Sequence, residues 1–117
     1  MLPIQRFTGT APGRSSAVVH GNLVFTVAVA DITEMDMRRQ TADALAKIDR
    51  QLAKAGTDKS RLLSATVYIC DMALKAQMNE VWLGWVDPDN APQRACIGAT
   101  LEGHHMLEIV AVAATKD

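Results

Sequence analysis

Aromatic side chains make up only 4% of this 117-residue sequence, so a packed interior has to come from Ala, Val, Leu, Ile and Met. Cysteine is almost as scarce. Cys70 and Cys96 lack the spacing of a zinc or redox motif. Both fall in apolar runs, where a free thiol behaves as a small hydrophobe, and sequence leaves open whether they pair. Neither sign of charge is in excess: 12 Lys and Arg against 13 Asp and Glu give a net charge of −1. That balance argues against a general nucleic-acid binder, which needs a basic patch to neutralise phosphates. No apolar run is long enough to span a membrane. The opening residues Met1 to Arg6 lack the basic-then-apolar layout of a signal peptide. There is no repeat, low-complexity tract, linker or phosphate-cradling glycine loop.

What remains is a 49% hydrophobic chain of ordinary domain length. It reads as a single domain over residues 1–117, placed by default in the reducing cytoplasm. Ser15–His20 and Leu23–Ala30 flank the turn signal His20-Gly21-Asn22 and read as a hairpin. Asp31 or Thr33 is the expected cap of a helix over Met35–Ala55, with Glu34 and Asp36 in its first turn. Ala42, Leu45, Ile48, Leu52 and Ala55 form its apolar stripe, and Gly56 ends it. Arg61–Cys70 reads as a strand, and Asp71–Val86 as a second helix striped by Leu74, Met78, Val81, Trp82 and Trp85. After the turn-rich loop Asp87–Pro92 come two strands, Arg94–Thr100 and Leu107–Thr115, joined through Glu102-Gly103-His104-His105. The order ββαβαββ predicts an α+β two-layer sandwich. Both parities of the last strands are apolar, so the sheet face left bare by the helices is expected to pack on other copies of the chain.

One segment carries chemistry. In Ala91-Pro92-Gln93-Arg94-Ala95-Cys96-Ile97 a proline breaks the preceding loop and an arginine enters an apolar strand. A guanidinium stays charged at working pH, and its planar fork matches a carboxylate through two parallel hydrogen bonds. Fixed at the mouth of a cleft, Arg94 would receive a small acid; the bland alternative is an ion pair with a nearby Asp or Glu. Cys96 shares its parity with Arg94, and either lines the pocket or fills the core. Asn79 sits inside a helix, where it is a mediocre former; it either hydrogen-bonds a ligand or faces solvent. His104 and His105 have no third ligand at proper spacing and read as a solvated loop, so no metal is expected.

These pieces together resemble the RidA (YjgF) family, also known as L-PSP endoribonucleases, from about Gly13 onward. The resemblance rests on Gly21-Asn22-Leu23-Val24-Phe25, Ser64-Ala65-Thr66-Val67-Tyr68, Met78-Asn79-Glu80-Val81-Trp82, Pro92-Gln93-Arg94-Ala95-Cys96 and Leu107-Glu108-Ile109-Val110-Ala111. Trp82, Trp85 and the short following loop look closer to the YoaB-like branch. The resemblance implies a chorismate-mutase-like fold, a homotrimer with clefts between subunits, and hydrolysis of enamine and imine intermediates to 2-oxo acids and ammonia without a cofactor. Arg94 then matches the arginine that grips the substrate carboxylate, and Glu108 the carboxylate that positions water. Cys96 and Asn79 match cleft residues. Ser15 stands where the family carries a tyrosine, and Val27-Ala28-Val29 lacks the family's cleft serine. The leading expectation is therefore a deaminase. A protein that binds or senses a small carboxylate without turnover is the alternative, with ribonuclease activity a distant third. Neither a nucleic-acid nor a membrane partner is expected.

Overall fold

The computed structural model describes residues 2–116. Strands β1 (Ile4–Thr8), β2 (Ser15–His20) and β3 (Leu23–Val29) lead into helix α1 (Met37–Lys54). Strand β4 (Leu62–Ile69), helix α2 (Lys75–Trp85), β5 (Gln93–Gly98) and β6 (Leu107–Ala114) follow, with single 3-10 turns at Lys59–Arg61 and Met72–Leu74. The strands form one sheet in the order β1-β2-β3-β6-β4-β5. All neighbours are antiparallel except β4 and β5, whose parallel pairing needs the crossover that α2 supplies.

The α+β two-layer expectation holds, with one strand added. β1 was not expected, because Ile4-Gln5-Arg6-Phe7-Thr8 has only two apolar residues and lies almost wholly exposed at the sheet edge. Its backbone pairing with β2, from Ile4 opposite His20 to Phe7 opposite Ala17, defines it instead. The cap of α1 also differs. Asp36, extended at φ −133°, accepts from the Arg39 N–H at 3.0 Å, so Glu34 and Asp36 precede the first turn. Asp31 is drawn off by Lys47, 2.6 Å away, and its own N–H donates to Asp43 at 2.6 Å. The helix ends as its glycine predicts. Gly56 takes φ +80°, and the Gly56 and Thr57 N–H groups close on the Ala53 and Leu52 carbonyls.

The interior lies between the helices and one sheet face. Leu45, Ile48 and Leu52 of α1 meet Val24, Val67, Ile69, Leu107 and Ile109, with Ala28, Ala65, Ala111 and Ala113 letting the helix approach closely. Ala42, expected in the stripe, is exposed. The molecule is only 19 Å thick along its short axis, enough for two layers, and the far sheet face is bare. Leu23, Phe25, Val27, Ile97 and Val110 on it are 39–45% exposed. Cys70 lies just beyond β4 and is exposed, so it is no core hydrophobe; Cys96 packs against the core, and both thiols are free.

Among the fully enclosed polar residues, Gln40 links distant segments. Gln40 donates to the Glu34 and His104 carbonyls at 2.8 and 3.0 Å and accepts from the Met106 N–H at 2.9 Å. It ties the start of α1 to the β5–β6 loop. Gln40→Ala strips these buried groups of partners and is expected to lower stability by about 2–3 kcal/mol in urea unfolding. At the other end, Lys116 lies 2.8 Å from Asp58, which also takes the Ser60 N–H at 2.9 Å. Hydrogen bonding from Lys116, then from the Ser60 hydroxyl and N–H, pulls the Asp58 carboxyl down to about 2. A depressed carboxyl stabilises the fold above its ordinary value of 3.8 and stops doing so as pH falls through about 2. The melting-temperature gap between wild type and Asp58→Asn should therefore be full at neutral pH and close across that window.

Candidate functional site

Strand alternation sorts β5 cleanly. Gln93, Ala95 and Ile97 are exposed on the bare face, while Arg94 and Cys96 turn under α2. Arg94 lies beside Ala65 of β4, half-buried. Its guanidinium stands 5.3 Å from the centre of the Trp82 ring, and Nη1 is 3.9 Å from the Met78 sulfur. The aromatic face and thioether fix the fork in place without neutralising it. Among the described residues no carboxylate pairs with Arg94. The acidic groups that do pair are engaged elsewhere: Glu80 with Arg38, Glu34 with Arg39, Asp31 with Lys47 and Asp58 with Lys116. Among the described residues the ion-pair alternative raised by the sequence is therefore not realised. Asn79, next to Met78 on α2, is half-buried and its Oδ1 is enclosed without a hydrogen-bond partner.

Glu108 belongs to the opposite face. It is the second residue of β6, half-buried between Val29 of β3 and Tyr68 of β4. β4 separates β5 from β6, and Leu107 and Ile109 take the helix-facing positions. One chain therefore does not bring Arg94 and Glu108 together. Glu108 instead borders a cleft of about 570 Å3 beneath the β1–β2 hairpin tip, where it meets Ser15, Val27, Val29, Lys47 and His105. The structure thus gathers Ser15, Val27 and Glu108, the positions at which the family pattern is altered or kept, around one cavity. Arg94, Cys96 and Asn79 do not line it.

Three features escaped the sequence reading. Met78 and Trp82 belong to the core stripe that the sequence predicts, and they are also the platform for Arg94. Tyr68 stands directly across from Glu108. His105 is half-buried at the cleft, while His104 is exposed as expected. Among the described residues no three His, Cys, Asp or Glu side chains are gathered to hold a metal, and no helix is long and apolar enough to cross a membrane.

A six-stranded mixed sheet with two helices on one face and a carboxylate on the other defines the chorismate-mutase-like α+β class shared with YjgF proteins. The family profile described as endoribonuclease L-PSP matches residues 5–115. A RutC family protein of Haemophilus ducreyi is 44% identical over 99 residues, 84% of this chain and 85% of its own length. The RutC family protein YoaB of Escherichia coli K12 is 38% identical over 101 residues, covering 86% of this chain and 89% of YoaB. The crystal structure of a YjgF family member from Neisseria meningitidis superposes with a TM-score of 0.93 at 39% identity, over 98% of this chain and 97% of that one. The chain belongs to the RidA/YjgF family.

Proposed function

We propose that the protein is a cytoplasmic enamine/imine deaminase that hydrolyses 2-imino acids to 2-oxo acids and ammonia as a homotrimer. The observation that carries this reading is Arg94: half-buried, clamped by Trp82 and Met78, and without a carboxylate among the described residues. A guanidinium held in a partly dry place without an anion is a preorganised receptor for one. The substrate carboxylate fills that role, with Cys96 beside it and the unpartnered Asn79 Oδ1 able to accept from the imine N–H. Glu108 takes the proton of the attacking water. Because Arg94 and Glu108 lie on opposite faces, a complete site requires Arg94 of one copy to meet the Ser15–Glu108 cleft of the next. The bare apolar face, Phe25, Val27 and Val110 at its centre, offers the surface for that assembly.

A protonated imine is already electrophilic, so holding the acid, placing one water and moving protons suffices without metal or cofactor. Ser15 and Val27 in the cleft also favour a second reading, in which a small carboxylate is bound without turnover. RNA cleavage is the weakest, because the cations Arg14, Lys47, Arg50 and Lys54 share the cleft wall with Asp31, Glu102 and Glu108. The deciding experiment couples an amino-acid oxidase to the purified protein. Faster release of 2-oxo acid and ammonia than in buffer supports the deaminase. Calorimetric binding of a 2-oxo acid without turnover supports the binding module instead.

A further inference from the structure

We propose that His105 is a second proton-transfer residue of this site, serving the departing nitrogen while Glu108 serves the water. The proposal rests on the deaminase reading and adds a residue to it. His105 sits in the β5–β6 loop, three positions before Glu108, and borders the same cleft. It is not an ordinary solvated loop residue. Gln40, 0% exposed on α1, holds the peptide groups on either side of it, through the His104 carbonyl at 3.0 Å and the Met106 N–H at 2.9 Å. The His105 N–H itself closes on the Glu102 carbonyl at 3.2 Å. A buried side chain spent on fixing an otherwise irregular loop positions what that loop carries.

The ring is unevenly placed. Nδ1 is shut off from solvent without a hydrogen-bond partner, a condition that few buried polar atoms share. The residue as a whole is half-buried and borders the cleft, so with Nδ1 enclosed proton exchange falls in this proposal to Nε2. An imidazole nitrogen can both give up and take back a proton. The charged groups around it on the cleft wall are Arg14, Asp31, Lys47, Arg50, Lys54, Glu102 and Glu108.

The water oxygen bonds to the carbon of the protonated imine, the C=N π pair moves to nitrogen, and a water proton passes to Glu108. The product is a neutral carbinolamine. Protonated His105 gives its Nε2 proton to the amine, the C–N bond breaks, and its electron pair leaves with ammonia. The hydroxyl proton returns to Nε2 as the carbonyl forms. Glu108 then hands its proton to ammonia, giving 2-oxo acid and ammonium from iminium and water with both residues restored.

The test uses H105Q and H105A in the oxidase-coupled assay. H105Q keeps hydrogen-bonding capacity but cannot shuttle a proton; kcat should fall about 100-fold with KM changed by less than about threefold. H105A should lose as much, and added imidazole should restore at least about tenfold of it, which a merely structural role would not allow. An active wild type with H105Q kcat within about threefold overturns this proposal alone, as does an H105A defect that imidazole leaves untouched. An inactive wild type overturns the deaminase reading and this inference with it.

Discussion

Arg94→Ala is expected to lose at least about 100-fold in kcat/KM for imino-acid hydrolysis, because a charge-assisted fork to a partly desolvated carboxylate accounts for roughly 2–5 kcal/mol. The loss should appear mainly in KM, since the carboxylate is held in ground and transition state alike. Arg94→Lys keeps the charge and discards the fork, and should fall between the two. Stability should hardly move. Arg94 makes no ion pair among the described residues, and its stacking on Trp82 is worth about 0.5–2 kcal/mol. A large functional loss in a protein that melts within a few degrees of wild type is the signature of a receptor rather than a structural cation. Full activity in Arg94→Ala would end the deaminase reading. Equally damaging would be a destabilisation as large as that expected for Gln40→Ala.

The residues that reveal themselves in the sequence are those whose signal is local. Pro92 ahead of an apolar run places the start of β5 within one residue, and the period of two puts Arg94 and Cys96 on one face, as the structure has them. Gly56 marks the end of α1 because a left-handed residue is needed there. What is hidden depends on pairing between distant segments. β1 exists through its backbone bonds to β2, not through an apolar pattern. Asp31, Thr33 and Asp36 are all competent caps, and only the tertiary pull of Lys47 and Asp43 on Asp31 leaves the role to Asp36. The side of Glu108 was illegible for a sharper reason. β6 is apolar at both parities, so alternation does not say whether Leu107 or Glu108 faces the helices. Only the register shows that the two expected functional side chains point apart: Arg94 pairs with buried Ala65, and Glu108 with Tyr68 on the other face of β4.

Val110→Asp should convert the assembly to single folded chains and abolish turnover with it. Val110 lies mid-face, with Val27 on one side and Thr66 on the other, and is 39% exposed. In an assembly that closes over this face, a carboxylate at that point would be stripped of water without a cation opposite, at a cost of several kcal/mol per copy. In the isolated chain the same carboxylate simply reaches solvent, so circular dichroism and melting should stay near wild type. Leu83→Asp, on the 72% exposed outer side of α2, is the control and should leave the assembly intact. Sedimentation at micromolar concentration reads the first consequence and the oxidase-coupled assay the second. The proposed function links the two: Arg94 and Glu108 sit on opposite sides of one sheet, so a lone chain would not bring them together. A monomeric Val110→Asp protein with full kcat would mean that one chain completes its own site, and a wild type that sediments as a monomer would leave the bare face unexplained.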